Sequence, residues 1–284
     1  MNPSNREMTG FNNISRTGKL KLQSDADNVR AMCMDVVRLL NSKNIPSNFD
    51  INHNDGGNIG VHEWVSQIRF IHLKYMNVNF QTKIFKHAYH NTENVVDYFD
   101  TFKHSDKYHL SAKPRFLEYE NVVFLCGSNV LELAIDFDKI DTLVEHYPDL
   151  VIKPHPITTL YYINMLKTRY GSKRVLSQKI SGVDVLKSAK RVWLPSTSEF
   201  WFSALNYDKE IGFISKDGFC GTYTSIINAV WELHEETGDP LKDIVNKIIS
   251  SPYSGLYGSM ADFEEHHEKY CNVILELGGN FDNV

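Results

Sequence analysis

The chain reads as an α/β protein whose carboxyl-terminal half carries a parallel, Rossmann-like sheet, and three observations lead there. From Asn121 onward, short apolar runs alternate with stretches of helical periodicity, the pattern of successive βαβ units. Val122-Val123-Phe124-Leu125 is a run suited to a buried strand, and it stops at Cys126-Gly127-Ser128-Asn129. Two further runs, Val151-Ile152-Lys153-Pro154-His155-Pro156 and Trp193-Leu194-Pro195-Ser196-Thr197-Ser198-Glu199-Phe200, end abruptly at small, polar or proline residues. In open parallel sheets these carboxyl ends of strands are where ligands bind.

Residues 1–17 are rich in Asn, Ser and Thr, and Lys19-Leu20-Lys21-Leu22 alternates like a short strand. Ser24-Asp25-Ala26-Asp27 supplies helix-start chemistry for a helix carrying Val29, Met32, Cys33, Val36, Val37, Leu39 and Leu40, ending near Asn44 before Pro46. A strand is expected at Phe49–Asn52, a loop at Asp55-Gly56-Gly57-Asn58-Ile59-Gly60, and an apolar-periodic helix from about His62 to His72. Beyond it the pattern is weaker, with a strand at Phe80–Phe85, a helix at Asn94–Phe102 and a linker at Lys113-Pro114-Arg115. A helix to about His146, stopped by Pro148, then opens the regular alternation. It continues through a strand at Leu150–Lys153, a helix through Tyr161 and Leu166, Arg174-Val175-Leu176, and a helix near Val183–Ser188. Arg191–Leu194, a helix from Ser198, the strand Glu210–Ile214 and a last helix from about Ala261 to Leu277 complete it.

The 284 residues suit one large domain or two small ones, so domains are expected at 1–115 and 116–284. No apolar run approaches the roughly 20 residues that span a bilayer, and the polar amino terminus lacks the apolar centre of a secretory signal. Four scattered cysteines without CxxC spacing read as reduced thiols in a cytoplasmic protein. Net charge is −5, spread unevenly: residues 1–120 hold 15 Lys/Arg against 13 Asp/Glu, and the rest 15 against 22. That balance argues against coating nucleic acid through bulk charge, while leaving room for a local basic surface on the first part.

His155 stands between two prolines at a strand end, where its imidazole can donate to a diphosphate and Lys153 can add charge. Ser196, Thr197 and Ser198 are denser in hydroxyls than a helix cap needs, which suits phosphate or ribose as well as capping. Glu199 follows as a first-turn carboxylate that can accept from ribose hydroxyls or complement the helix dipole. In the first half, Asp55 opens the loop of Gly56 and Gly57, whose glycines allow a ligand close to the backbone. Asp55, then Glu63 and His62, are the acid/base candidates. His87 and His90 are three apart but nothing nearby completes a ligand set, so no metal is expected. There is no HExxH, P-loop or GxSxG.

Lys-Pro-His-Pro followed about 40 residues later by Ser-Thr-Ser-Glu resembles the donor half of two-domain glycosyltransferases, closest to the capsule, Kdo and glycerophosphate transferase group. The resemblance covers roughly 121–215, and the chain departs from it in carrying Phe200-Trp201-Phe202 after Glu199. It implies two Rossmann-like domains facing a cleft (GT-B-like), with a last helix returning to the first domain. It also implies that His155 and Ser196 to Ser198 hold the phosphates of a nucleotide-sugar co-substrate, with no separate cofactor. The favoured acceptor is a hydroxymethylated cytosine in DNA, as in phage base-modification transferases. The alternatives are a cell-surface polysaccharide or teichoic-type transferase, which would show a basic amphipathic membrane contact, and a non-catalytic nucleotide-binding module.

Overall fold

A computed structural model describes residues 23–43, 59–64, 68–73, 78–99, 110, 112, 118–257 and 260–278. Two compact units emerge: Met1–Phe102 with Thr224–Val284, and Lys103–Tyr223. The linker expected at Lys113-Pro114-Arg115 and the strands expected at Lys19–Leu22 and Phe49–Asn52 lie outside the described residues.

The first unit opens with α1 (Gln23–Ser42), whose Val36, Val37 and Leu40 are buried. Next come β1 (Ile59–Trp64) and β2 (Ile68–Leu73), paired antiparallel from Ile59↔Leu73 to Trp64↔Ile68. The helix expected at His62–His72 is therefore a pair of strands. Short runs rich in β-branched and aromatic residues fit both periods, and cross-strand pairing decided the outcome. α2 (Val78–His90) replaces the strand expected at Phe80–Phe85. Phe80, Ile84 and Ala88 recur at helical spacing, and Thr82 is accommodated by bonding its hydroxyl to the carbonyl of Val78 four residues back.

The second unit runs β3 (Tyr119–Phe124), α3 (Leu131–Ala134), α4 (Phe137–His146), β4 (Val151–Lys153), α5 (Leu160–Tyr170), α6 (Gly182–Ser188), β5 (Ala189–Leu194), α7 (Phe200–Asn206) and β6 (Glu210–Phe213). The chain then returns to the first unit through α8 (Thr224–Thr237), α9 (Leu241–Ser250), β7 (Leu256–Tyr257) and α10 (Met260–Gly278). Not only the last helix but every element from Thr224 onward thus belongs with the amino-terminal segment.

In the first unit β7 adds antiparallel to β2, so the described strands there form an antiparallel sheet and not a second parallel, Rossmann-like one. α2, α8 and α9 pack on one another. Ser225 joins α8 to α2 at depth: its carbonyl shares the Thr82 hydroxyl proton with the carbonyl of Val78, and its hydroxyl donates to Gln81 Oε1 at 2.9 Å. The helix expected at Asn94–Phe102 is absent over 94–99 because α9 takes its backbone donors. Val96 N–H bonds Ser250 Oγ, and Tyr98 N–H bonds Asn246 Oδ1.

The second unit holds a four-stranded parallel sheet in the order β4-β3-β5-β6. Beyond β4, Val175 makes a parallel bridge to Ile152, with Ile152 N–H on Arg174 O and Leu176 N–H on Ile152 O, both 2.8 Å. Numbering these five segments along the chain gives the spatial order 3-2-1-4-5, that of a Rossmann-like sheet. Right-handed crossovers then require α3, α4 and α5 on one face and α6 and α7 on the other. Leu131, Ile140 and Leu166 indeed pack with Val123, Ile152 and Trp193. The next residue along β3, Phe124, faces the opposite way and meets the ring of Phe200 edge-on. Among the described residues no helix is long and apolar enough to cross a membrane.

Candidate functional site at the carboxyl edge of the parallel sheet

Strand order reverses at β3, which lies between β4 and β5, so the crevice of this sheet opens where β3 and β5 end. Three loops meet that edge in the order of their strands: 154–159 after β4, 126–130 after β3, and 195–199 after β5. β4 and β5 each neighbour β3, so they stand about 10 Å apart, a span suited to an elongated ligand.

The loop after β4 is held tightly. Lys153 is 2% exposed and its Nζ donates to Pro154 O at 2.7 Å. This lysine therefore braces the backbone of the His-Pro turn, where the sequence suggested a charge turned toward ligand. His155 is partly exposed, and its Nδ1 accepts from Ile157 N–H at 3.3 Å while its carbonyl accepts from Thr158 N–H at 2.9 Å. Thr159 caps α5 without a side-chain bond, and its own N–H donates to Ser128 Oγ at 2.8 Å. The loops after β4 and β3 are thereby joined. A Cβ on Gly127 would stand 3.1 Å from Ile157 Cδ1, so the turn packs directly on the Gly127 backbone.

The loop after β5 is more enclosed than a row of hydroxyls suggests. Ser196 is buried: its N–H donates to Ser215 Oγ at 2.8 Å, and the two hydroxyls lie 3.1 Å apart. Its carbonyl accepts from Tyr223 N–H, and Gly221 packs on it so closely that a Cβ there would lie 2.8 Å from the Ser196 carbonyl carbon. The glycine-bearing segment 217–222 is thus a wall laid against Ser196 and Thr197. Lys139 fastens the start of this segment through Ser215 O and Asp217, and Lys216 N–H bonds Ala134 O.

Thr197 Oγ1 is enclosed without a well-formed hydrogen bond, beside the Cys126 thiol, which burial pushes up to about 12. That thiol stays protonated and is a packing group. Ser198 Oγ accepts from Phe200 N–H at 3.3 Å, so it does local capping work. Glu199, partly exposed, occupies the N-cap position of α7 with helical backbone angles and no side-chain cap bond. α7 has only seven residues, which weakens the dipole support for phosphate that the sequence placed at this helix start.

Of the residues singled out by sequence, Lys153, His155, Ser196, Thr197, Ser198 and Glu199 come to one edge of one sheet. Asp55, Gly56 and Gly57 lie outside the described residues. His62 and Glu63 sit on β1, opposite Phe70 and Arg69, in the other unit; Glu63 is a strand residue and not one in the first turn of a helix. Sequence reasoning missed Ser128 and Ser215. Cys126-Gly127-Ser128-Asn129 was visible as a strand end and Asp217-Gly218-Phe219-Cys220-Gly221-Thr222 as a glycine-bearing loop able to close over a donor. The bonds of Ser128 to Thr159 and of Ser215 to Ser196, however, join residues 31 and 19 apart. Comparison of the chain with protein-family models finds no match, and no curated protein sequence matches it.

Proposed function

We propose that the protein is a nucleotide-sugar-dependent glycosyltransferase, with the donor nucleotide at the carboxyl edge of the parallel sheet. One observation carries this reading: the loops of His155 and of Thr197–Glu199 flank the first strand of a 3-2-1-4-5 sheet, where strand order reverses. The edge offers an imidazole on a braced turn, the N-terminus of the 11-residue α5 and the Glu199 carboxylate. Such a set suits a diphosphate and a ribose.

In the reaction, the acceptor oxygen forms a bond to the anomeric carbon as the bond from that carbon to the diphosphate oxygen breaks. The diphosphate leaves with the electron pair, stabilised by donation from His155. The hydroxyl proton passes to a general base, for which the carboxylate of Asp55 is the first candidate, with the carboxylate of Glu63 and the imidazole of His62 next. The favoured acceptor is the hydroxymethyl group of a modified cytosine in DNA, flipped out of the duplex to reach that base.

The test is calorimetric binding of nucleoside diphosphates, followed by nucleoside diphosphate release from nucleotide sugars in the presence of hydroxymethylated DNA. Asp55→Asn should cut turnover about 10²–10⁴-fold with donor binding retained, and Glu63→Gln should matter less. Binding without turnover on any acceptor would make this a nucleotide-binding module. No nucleotide binding at all would remove the proposal.

A further inference from the structure

We infer that the neutral imidazole of His155 carries its proton on Nε2, and that Ser128 is the positioning residue that keeps this tautomer. The inference rests on the reading that His155 meets the donor's diphosphate, and it adds how the ring is oriented for that task. An imidazole nitrogen that accepts a hydrogen bond cannot also carry a proton. Nδ1 of His155 accepts the Ile157 N–H, so the neutral ring carries its proton on Nε2. That tautomer offers a donor to an anionic oxygen and keeps the donor independent of the ring's second protonation.

The Ile157 amide is a fixed donor because its turn is pinned at several points. Pro154 and Pro156 restrict the backbone on both sides of His155. Lys153 Nζ holds the Pro154 carbonyl, and Thr158 N–H closes the turn on the His155 carbonyl. The Ile157 side chain lies against Gly127. The far end of the turn passes into α5 at Thr159, whose amide is held by the side chain of Ser128 alone among the described bonds of that amide. Ser128 acts through the Thr159 amide. It sets where α5 begins, and so where the Ile157 amide points.

Two-bond ¹⁵N–¹H correlation spectra of the full-length protein, ¹⁵N-labelled at histidine and recorded at alkaline pH, read the tautomer directly. The His155 signals are assigned by their loss in His155→Gln. The expected wild-type spectrum is that of an Nε2–H ring. Ser128→Ala should give averaged nitrogen shifts for His155 and lower the affinity for UDP and for inorganic pyrophosphate about 2- to 10-fold, the scale of one neutral hydrogen bond. Ser128→Thr, which keeps the hydroxyl, should restore both. A wild-type spectrum with the proton on Nδ1 overturns the inference, and so does a Ser128→Ala protein with unchanged shifts and affinities. Because the wild-type spectrum alone reads the tautomer, a Ser128→Ala chain that fails to fold does not shield the inference. If the wild-type protein binds a panel of nucleoside diphosphates and pyrophosphate not at all, the donor reading itself has failed.

Discussion

Gly221→Ala probes the wall that closes over the end of β5. A methyl group placed there would lie 2.8 Å from three atoms: the Ser196 carbonyl carbon, Ser196 Oγ and Thr197 Cγ2. Two of these are side-chain atoms that can turn away, but the first is backbone, held on both sides. Ser196 N–H is bonded to Ser215 Oγ and Ser196 O to Tyr223 N–H. The new methyl therefore pushes the 217–222 segment outward or stretches those bonds. Overpacking of this kind costs about 1–3 kcal/mol. The unfolded chain loses freedom when Gly becomes Ala, which returns about 0.4–1 kcal/mol, so the clash wins and the variant is destabilised. Thermal unfolding of the full chain should show a drop in Tm of a few degrees for each kcal/mol. Combining Gly221→Ala with Ser196→Ala and Thr197→Ser removes the two side-chain contacts but not the backbone one, so only part of the loss should return. A Gly221→Ala protein as stable as the wild type, or more so, would refute the packing of this segment on Ser196.

Three titratable groups, His267, Cys126 and Cys271, give further outcomes. Burial lowers the His267 pKa below its ordinary value, with Asp35 nearby partly opposing the shift. The unfolded chain therefore takes up this proton first, and stability falls as pH drops below about 6.5, levelling once the folded histidine is also protonated. Melting from about pH 7.5 to about pH 5 should show a smaller loss in His267→Gln than in the wild type, and equal losses would remove this histidine as a cause. Burial also pushes the thiols of Cys126 and Cys271 up, to about 12 and about 11. Alkylation of the native protein at neutral pH should thus mark Cys220 well before either, as peptide mapping can check; early labelling of Cys126 would mean that the β3 end is open to solvent.

How much of this was legible beforehand varies along the chain. From Asn121 to Ile214 the expected strands and helices match the observed ones to within a few residues, apart from the helix ending at His146, which is broken into α3 and α4. Strands buried on both faces leave short apolar runs, and here the turn residues that bound them set them apart from helices. Asp136 and Ser181 cap α4 and α6 through their own side chains, which is local chemistry. In the first half the same method put a helix on β1 and β2 and a strand on α2. Those segments owe their state to partners far along the chain. Residues 94–99 show it most plainly, since their amides are taken by Asn246 and Ser250 and no local signal announces that.

The candidate site divides in the same way. That Lys153, His155 and the Ser196–Glu199 run end strands was written in the order of residues, since a strand that stops at proline and hydroxyl side chains does so through its own chain chemistry. Which strand lies between them, where the strand order reverses, and which groups remain available to a ligand were settled only by folding. Lys153 is turned onto a carbonyl and Ser196 is shut in by Ser215 and Gly221, while Ser128 holds the amide that begins α5. Each of those outcomes depends on a backbone group that must find a partner once it is buried, and the partner is whichever side chain or carbonyl the sheet order brings alongside.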